Sequence, residues 1–299
     1  MTAELDQELV QRIATLRFRA ERAVEGLRSG VHRSPHRGAS VIFAEHRHYR
    51  PGDDLRLLDW RAYARSDRHT IKRFEQETHL RAHLLLDTSA SMGYGGESAG
   101  VSKREYAATL LAALAYVLLG QGDATGVQTL DSELVAQVPA RARPDQLEAI
   151  LQLLAAPPRP GARTDLAAAV GAAVERVGRR GLVVLASDLL DLGPGALQPL
   201  SRLRALGHQL LVFHIIDRDE LELPFQGPSR FVDPEGDGSL DVDPEALRQV
   251  YRQRIGAFLT DCRERCTAAG ARHVLCPTDH PVQQVLAGAL RGRAVGAWA

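Results

Sequence analysis

Lysine is almost missing from this chain. Of 37 basic residues only Lys72 and Lys103 are lysine, a bias that reads as the mark of a GC-rich genome rather than of guanidinium chemistry. Cysteine is nearly as scarce: Cys262, Cys266 and Cys276 all fall late in the sequence. An odd count without a secretory leader points to a reducing compartment. Cys262 and Cys266 stand four apart on an expected helix with His273 nearby, but structural zinc sites use tighter paired spacings, so burial is the preferred reading. No apolar run is long enough to cross a bilayer, the longest lying within TLLAALAYVLLG at 109–120. The N-terminal MTAELDQELVQRIATLRFRAERAVEGL is charged throughout and is neither a leader nor a span. A cytoplasmic protein without a transmembrane segment is expected. An excess of one charge is also absent. Lys and Arg number 37 and so do Asp and Glu, which argues against nucleic acid as a partner of the whole chain. Charge is uneven only locally, with eleven Lys/Arg against five Asp/Glu over residues 28–73.

Two motifs of enzyme chemistry are missing as well. The glycines of GYGGESAG do not make Gly-x-Gly-x-x-Gly, and there is no Gly-Lys-Ser/Thr phosphate loop. A dinucleotide enzyme and a P-loop ATPase are therefore disfavoured. A serine nucleophile needs a base, and His208 and His214 are candidates only by count.

What is present is an α/β pattern. The apolar fraction of 44% is ample for a core. Residues 1–29 form an expected amphipathic helix, with apolar side chains at Leu5, Leu9, Ile13, Leu16, Ala20, Ala23 and Leu27. Residues 30–81 form a segment rich in Arg, His and Gly, with candidate strands in SVIFAEHRHY and HTIKRFEQE. From 82 to 299, strands and helices alternate: helices are expected at 102–119, 195–206, 244–269 and 281–290, and FVDPEGDGSLDVD reads as a surface hairpin. GLVVLASD and HQLLVFHIID are near-continuous apolar strands, as positions covered on both faces of a parallel sheet require. The pattern predicts a doubly wound, mostly parallel α/β sheet, with an N-terminal helix and a small β-containing N-terminal segment.

In LLLDTSASMGYGG, residues 84–96, a strand of leucines runs into Asp87 and then into alternating hydroxyls. Ligands of such sheets gather outside the carboxyl ends of the strands, where the winding reverses. Asp87, Ser89 and Ser91 can aim several hard oxygens at one spot. Thr164, after the loop PRPGAR, and Asp188, which ends GLVVLASD, can add two more. Oxygen ligands with few charges suit Mg²⁺, or Mn²⁺, with waters completing the shell. Asp188 has a competing reading as a helix cap.

Asp87-Thr88-Ser89-Ala90-Ser91 resembles the Asp-x-Ser-x-Ser of von Willebrand factor A (VWA) domains and their metal-ion-dependent adhesion site (MIDAS). The resemblance implies a Rossmann-type fold and a metal centre of Asp87, Ser89, Ser91, Thr164 and Asp188. It also implies a coordination position left for an acidic side chain of a partner protein. Residues 50–77, RPGDDLRLLDWRAYARSDRHTIKRFEQE, are similar to the signature of domain-of-unknown-function family 58, carried here by Tyr49, Gly52, Asp53, Asp54, Arg56, Asp59, Trp60, Ala64 and Arg65. That family is often encoded beside MoxR-type AAA+ ATPases, which implies such an ATPase as a partner. From the residues alone, the segment is either a structural clasp or an interface. The expectation is a non-enzymatic, metal-dependent protein-binding module. The alternative is a metal-dependent hydrolase using the same oxygens.

Overall fold

In the computed structural model of the chain, the residues described are 2–28, 41–48, 70–76, 80–96, 100–159, 165–178, 180–193, 195–236 and 238–294. They fall into two units, Met1–His32 with Arg81–Ala299, and Arg33–Leu80. In the smaller unit, β1 (Val41–His48) and β2 (Thr70–Gln76) pair antiparallel, at the two places where the sequence alternates as strand.

The larger unit is built on a six-stranded sheet. Its strands are β3 (Arg81–Asp87), β4 (Ala124–Leu130), β5 (Leu134–Arg141), β6 (Leu182–Ser187), β7 (Gln209–Ile216) and β10 (Arg272–Pro277), in the order β10-β7-β6-β3-β4-β5. Only β5, which returns from β4 through a tight turn, is antiparallel. The chain leaves β3 toward β4 on one side and comes back to β6 on the other, so the winding reverses between β3 and β6. Both strands are buried along almost their whole length. Their leucine and valine runs are stable only because helices cover both faces.

One face packs against α4 (Leu166–Val174), α5 (Gln198–Ala205) and α7 (Pro244–Ala268) around Leu85, Val183, Leu185 and Val212. Cys262 and Cys266 are part of this core, and burial pushes the Cys266 thiol up to about 12. The opposite face receives α2 (Lys103–Gly120), with α1 (Thr2–Arg28), α3 (Gln146–Ala155) and α8 (Val282–Ala294) around it. Leu16, Ala20, Ala23, Val24 and Leu27 of α1 are buried at helical spacing, so this helix lies on the larger unit. Ser102 starts α2 with a capping box: its hydroxyl accepts from the Glu105 N–H and its own N–H donates to the Glu105 carboxylate.

Two local expectations are corrected. The helix expected from 195 begins only at Gln198, because Gly195 takes a left-handed φ of 84° that an α-helix excludes. Asp188 caps no helix. It leads into a turn in which Leu189 itself adopts φ 56°. Between β7 and α7 lie the short helix α6 (Arg218–Glu222) and the antiparallel ribbon β8 (Ser229–Val232) and β9 (Ser239–Val242), at the position of the expected hairpin.

Candidate metal centre

Parallel strands end on the same edge of a sheet, so the residues after β3, β6 and β7 meet there. Asp87 closes β3 and is 1% exposed. One of its carboxylate oxygens accepts from the Ser89 N–H at 2.9 Å, and the other accepts from the Ser187 hydroxyl at 2.6 Å. The chain then enters a single 3₁₀ turn, Ala90–Gly93, which folds Ser91 back over Ser89. Their hydroxyl oxygens stand 3.1 Å apart, both buried. Thr88 points elsewhere: its hydroxyl and its N–H both donate to the Leu130 carbonyl at the end of β4. Alternation at the strand end thus sends Asp87 and Thr88 opposite ways, and the 3₁₀ turn brings Ser91 back to Ser89.

Across the switch point, Asp188 follows β6 and is 3% exposed. One of its oxygens accepts from the Leu190 N–H at 3.2 Å, and the other accepts from the Lys103 ammonium at 2.8 Å. Lys103 is fully buried and also donates to Glu220, in α6, at 2.6 Å. Burial alone would lower the lysine pKa, but the Asp188 and Glu220 carboxylates outweigh it and hold the ammonium above its ordinary value. Burial raises Glu220, with Lys103 opposing. Asp87 is pushed up to about 6, first by burial and then by the charge of Asp188, against the hydrogen bonds from Ser187 and Ser89. Two carboxylates share this buried edge, and the lysine neutralises only one side of it.

One glycine after the motif serves packing. Gly96 donates its N–H to Asp217 at 3.2 Å, and a Cβ there would sit 2.6 Å from an Asp217 oxygen. Tyr94 donates its hydroxyl to Asp219 at 3.2 Å, and burial with that carboxylate raises its pKa. The loop is thereby tied to the end of β7, where Thr278 also donates to Asp217 at 2.8 Å. The candidate bases are structural. His208 accepts from the Gly181 N–H at 3.2 Å, and His214, lowered to about 4 by burial and by His273, stands 3.1 Å from the His273 ring nitrogen.

Asp87, Ser89, Ser91 and Asp188 therefore belong to one strand-end edge. Thr164 lies outside the described residues, as do Tyr49, Gly52, Asp53, Asp54, Arg56, Asp59, Trp60, Ala64 and Arg65. Among the described residues no three His, Cys, Asp or Glu side chains converge as a metal cluster, so any ion here depends on hydroxyls. The hydroxyl pair suits such an ion, since adjacent ligands of an octahedral Mg²⁺ at about 2.0–2.1 Å lie about 3 Å apart. The under-neutralised Asp87 suits it for the same reason. Sequence reasoning missed Ser187, Lys103, Glu220 and Glu235, whose carboxylate accepts from the Ser91 N–H at 3.3 Å. A signal for Lys103 did exist: a chain that writes arginine nearly everywhere keeps a lysine where its compact ammonium meets the buried Asp188 and the partly buried Glu220.

The uncharacterised proteins Rv1480 of Mycobacterium tuberculosis and Mb1516 of Mycobacterium bovis are each 29% identical to the chain over 280 residues, spanning 92% of it and 86% of the relative. Among solved structures, the conserved hypothetical protein BatB from Bacteroides thetaiotaomicron is 18% identical, with 72% of this chain and 98% of that one covered at a TM-score of 0.48. A family model described as "Protein of unknown function DUF58" matches residues 45–258, and the chain belongs to that family.

Proposed function

We propose that the larger unit is a divalent-metal-dependent protein-binding module of the A-domain type, with Mg²⁺ or Mn²⁺ held at the carboxyl edge of its sheet. The observation that carries this reading is the buried pair of hydroxyls, Ser89 and Ser91, 3.1 Å apart beside the Asp87 carboxylate, which is bonded to no cation among the described residues. Asp87, Ser89 and Ser91 would hold the ion, with Asp188 and Thr164 contributing from the neighbouring loops. The ion supplies fixed positive charge at a protein surface, and an acidic side chain of a client gains more from it than a neutral group does. Tyr94 and Leu190, 37% and 53% exposed on the loops leaving β3 and β6, offer apolar contact around such an anchor. The likeness of residues 50–77 to the family signature supports a MoxR-type AAA+ ATPase as the working partner. No helix among the described residues is long and apolar enough to cross a membrane.

The reading is non-enzymatic because neither candidate histidine bonds to the hydroxyls: His208 accepts from Gly181 and His214 stands beside His273. Calorimetric titration with Mg²⁺ and Mn²⁺ tests it, the expected result being saturable binding by the wild type and none by Asp87→Ala, with folding retained. Binding unchanged in the variant would refute the assignment. Metal-dependent turnover of a phosphoester or peptide, lost in Asp87→Ala, would favour the hydrolase instead.

A further inference from the structure

The β8–β9 ribbon stands apart from the sheet. Among the described residues its two strands pair only with each other, from Ser229 opposite Val242 to Val232 opposite Ser239. A ribbon of two strands is marginal in water without packing. This one has little: Val232 and Leu240 are 67% and 61% exposed, and its Arg230–Asp241 ion pair lies in solvent. Phe231 packs edge-on against Phe225 at 5.5 Å. At the far end, the Asp233 carboxylate accepts from the Glu235 N–H at 2.9 Å, and Asp233 donates its own N–H to the Gly238 carbonyl. That turn sends the Glu235 side chain back across 144 residues of sequence to the Ser91 N–H. Of all the backbone the ribbon could touch, its carboxylate touches the residue that bears half of the hydroxyl pair.

We propose that Glu235 is the metal centre's own acidic ligand, occupying the position that a client's carboxylate must take, so that client binding displaces the ribbon. This rests on the reading of Asp87, Ser89 and Ser91 as a divalent-metal site. A carboxylate carried on the same chain acts at an effective concentration of about the millimolar range, so dilute free acids do not compete with it. A client that adds contacts beyond its carboxylate does compete, and the thinly packed ribbon can swing away at small cost. The device therefore selects proteins over small acids.

Glu235→Gln isolates the charge, because the amide oxygen can still accept from Ser91. The probe is Mn²⁺ alone, followed by water-proton relaxation, with acetate then added as a free carboxylate. The variant is expected to fold as the wild type does and to bind Mn²⁺ about 10–100-fold more weakly, the range for removing a group that supports a metal. Relaxation per bound ion should rise as water replaces the lost carboxylate, and acetate should lower it again in the variant but not in the wild type. Glu235→Asp keeps the charge but withdraws it by one methylene, and should behave like Glu235→Gln. Variants equal to the wild type in affinity and relaxation would overturn the proposal while leaving the metal site intact. A wild type that takes up no Mn²⁺ would overturn the metal reading and this inference together.

Discussion

The two halves of the parallel strands β3 and β6 are buried to the same degree and filled with opposite chemistry. Their middles, Leu84 to Leu86 and Val183 to Ala186, are 0–1% exposed and wholly apolar. Their carboxyl ends, Asp87, Ser187 and Asp188, are 1–3% exposed and carry two carboxylates. Burial stabilises the first half through the hydrophobic effect, whereas in the second it sets a desolvation cost that only hydrogen bonds and a counter-charge can offset. The middle makes the fold. The end is held in an arrangement it would not choose alone, which is the expected condition of a binding site.

The comparison can be broken most forcefully at Lys103. Lys103→Met leaves the buried Asp188 and the partly buried Glu220 without their cation and should cost about 3–5 kcal/mol in denaturant unfolding. A variant as stable as the wild type would show that the ammonium is not what holds the edge together. Leu185→Ala acts on the apolar half and should cost about 2–5 kcal/mol, with Mn²⁺ affinity unchanged as long as the protein remains folded. A loss of affinity there would join the two halves into one functional unit.

Asp87→Asn sharpens the contrast in the other direction. The native carboxyl is raised to about 6 from an ordinary 3.8, so below 6 the folded state holds a proton that the unfolded state releases. From this group, metal-free stability should rise as pH falls from 7 toward 4, while Mg²⁺ affinity falls over the same window because the ion must displace that proton. Thermal melts and titrations across this pH range, wild type against Asp87→Asn, measure both. The variant should lose both dependences and melt no lower than the wild type at pH 7 without metal.

The strand-end motif was legible because its residues are neighbours in sequence: one strand end and one tight turn are enough to bring Asp87, Ser89 and Ser91 together. The sheet was legible for a similar reason, since GLVVLASD and HQLLVFHIID admit few other placements. What supports the motif was not. Ser187 reaches Asp87 across 100 residues, Lys103 reaches Asp188 across 85, and Glu235 reaches Ser91 across 144. No periodicity encodes such meetings, because they follow from strand order. Lys103 was hidden further by sitting on the first turn of an apolar helix, where composition explained it well enough. Within GYGGESAG the structure gives Gly96 a reason of its own, since a Cβ there would meet the carboxylates of Asp217 and Asp219.

The claim that the polar half of these strands exists to hold an ion is tested most directly by removing both hydroxyls. Ser89→Ala with Ser91→Ala deletes two neutral oxygens and no charge, and leaves Asp87, Asp188 and Lys103 in place. Electron paramagnetic resonance titration with Mn²⁺ at neutral pH should show one saturable ion per wild-type chain and none bound by the double variant, at an unchanged melting temperature. Equal Mn²⁺ binding by the two proteins would contradict the account.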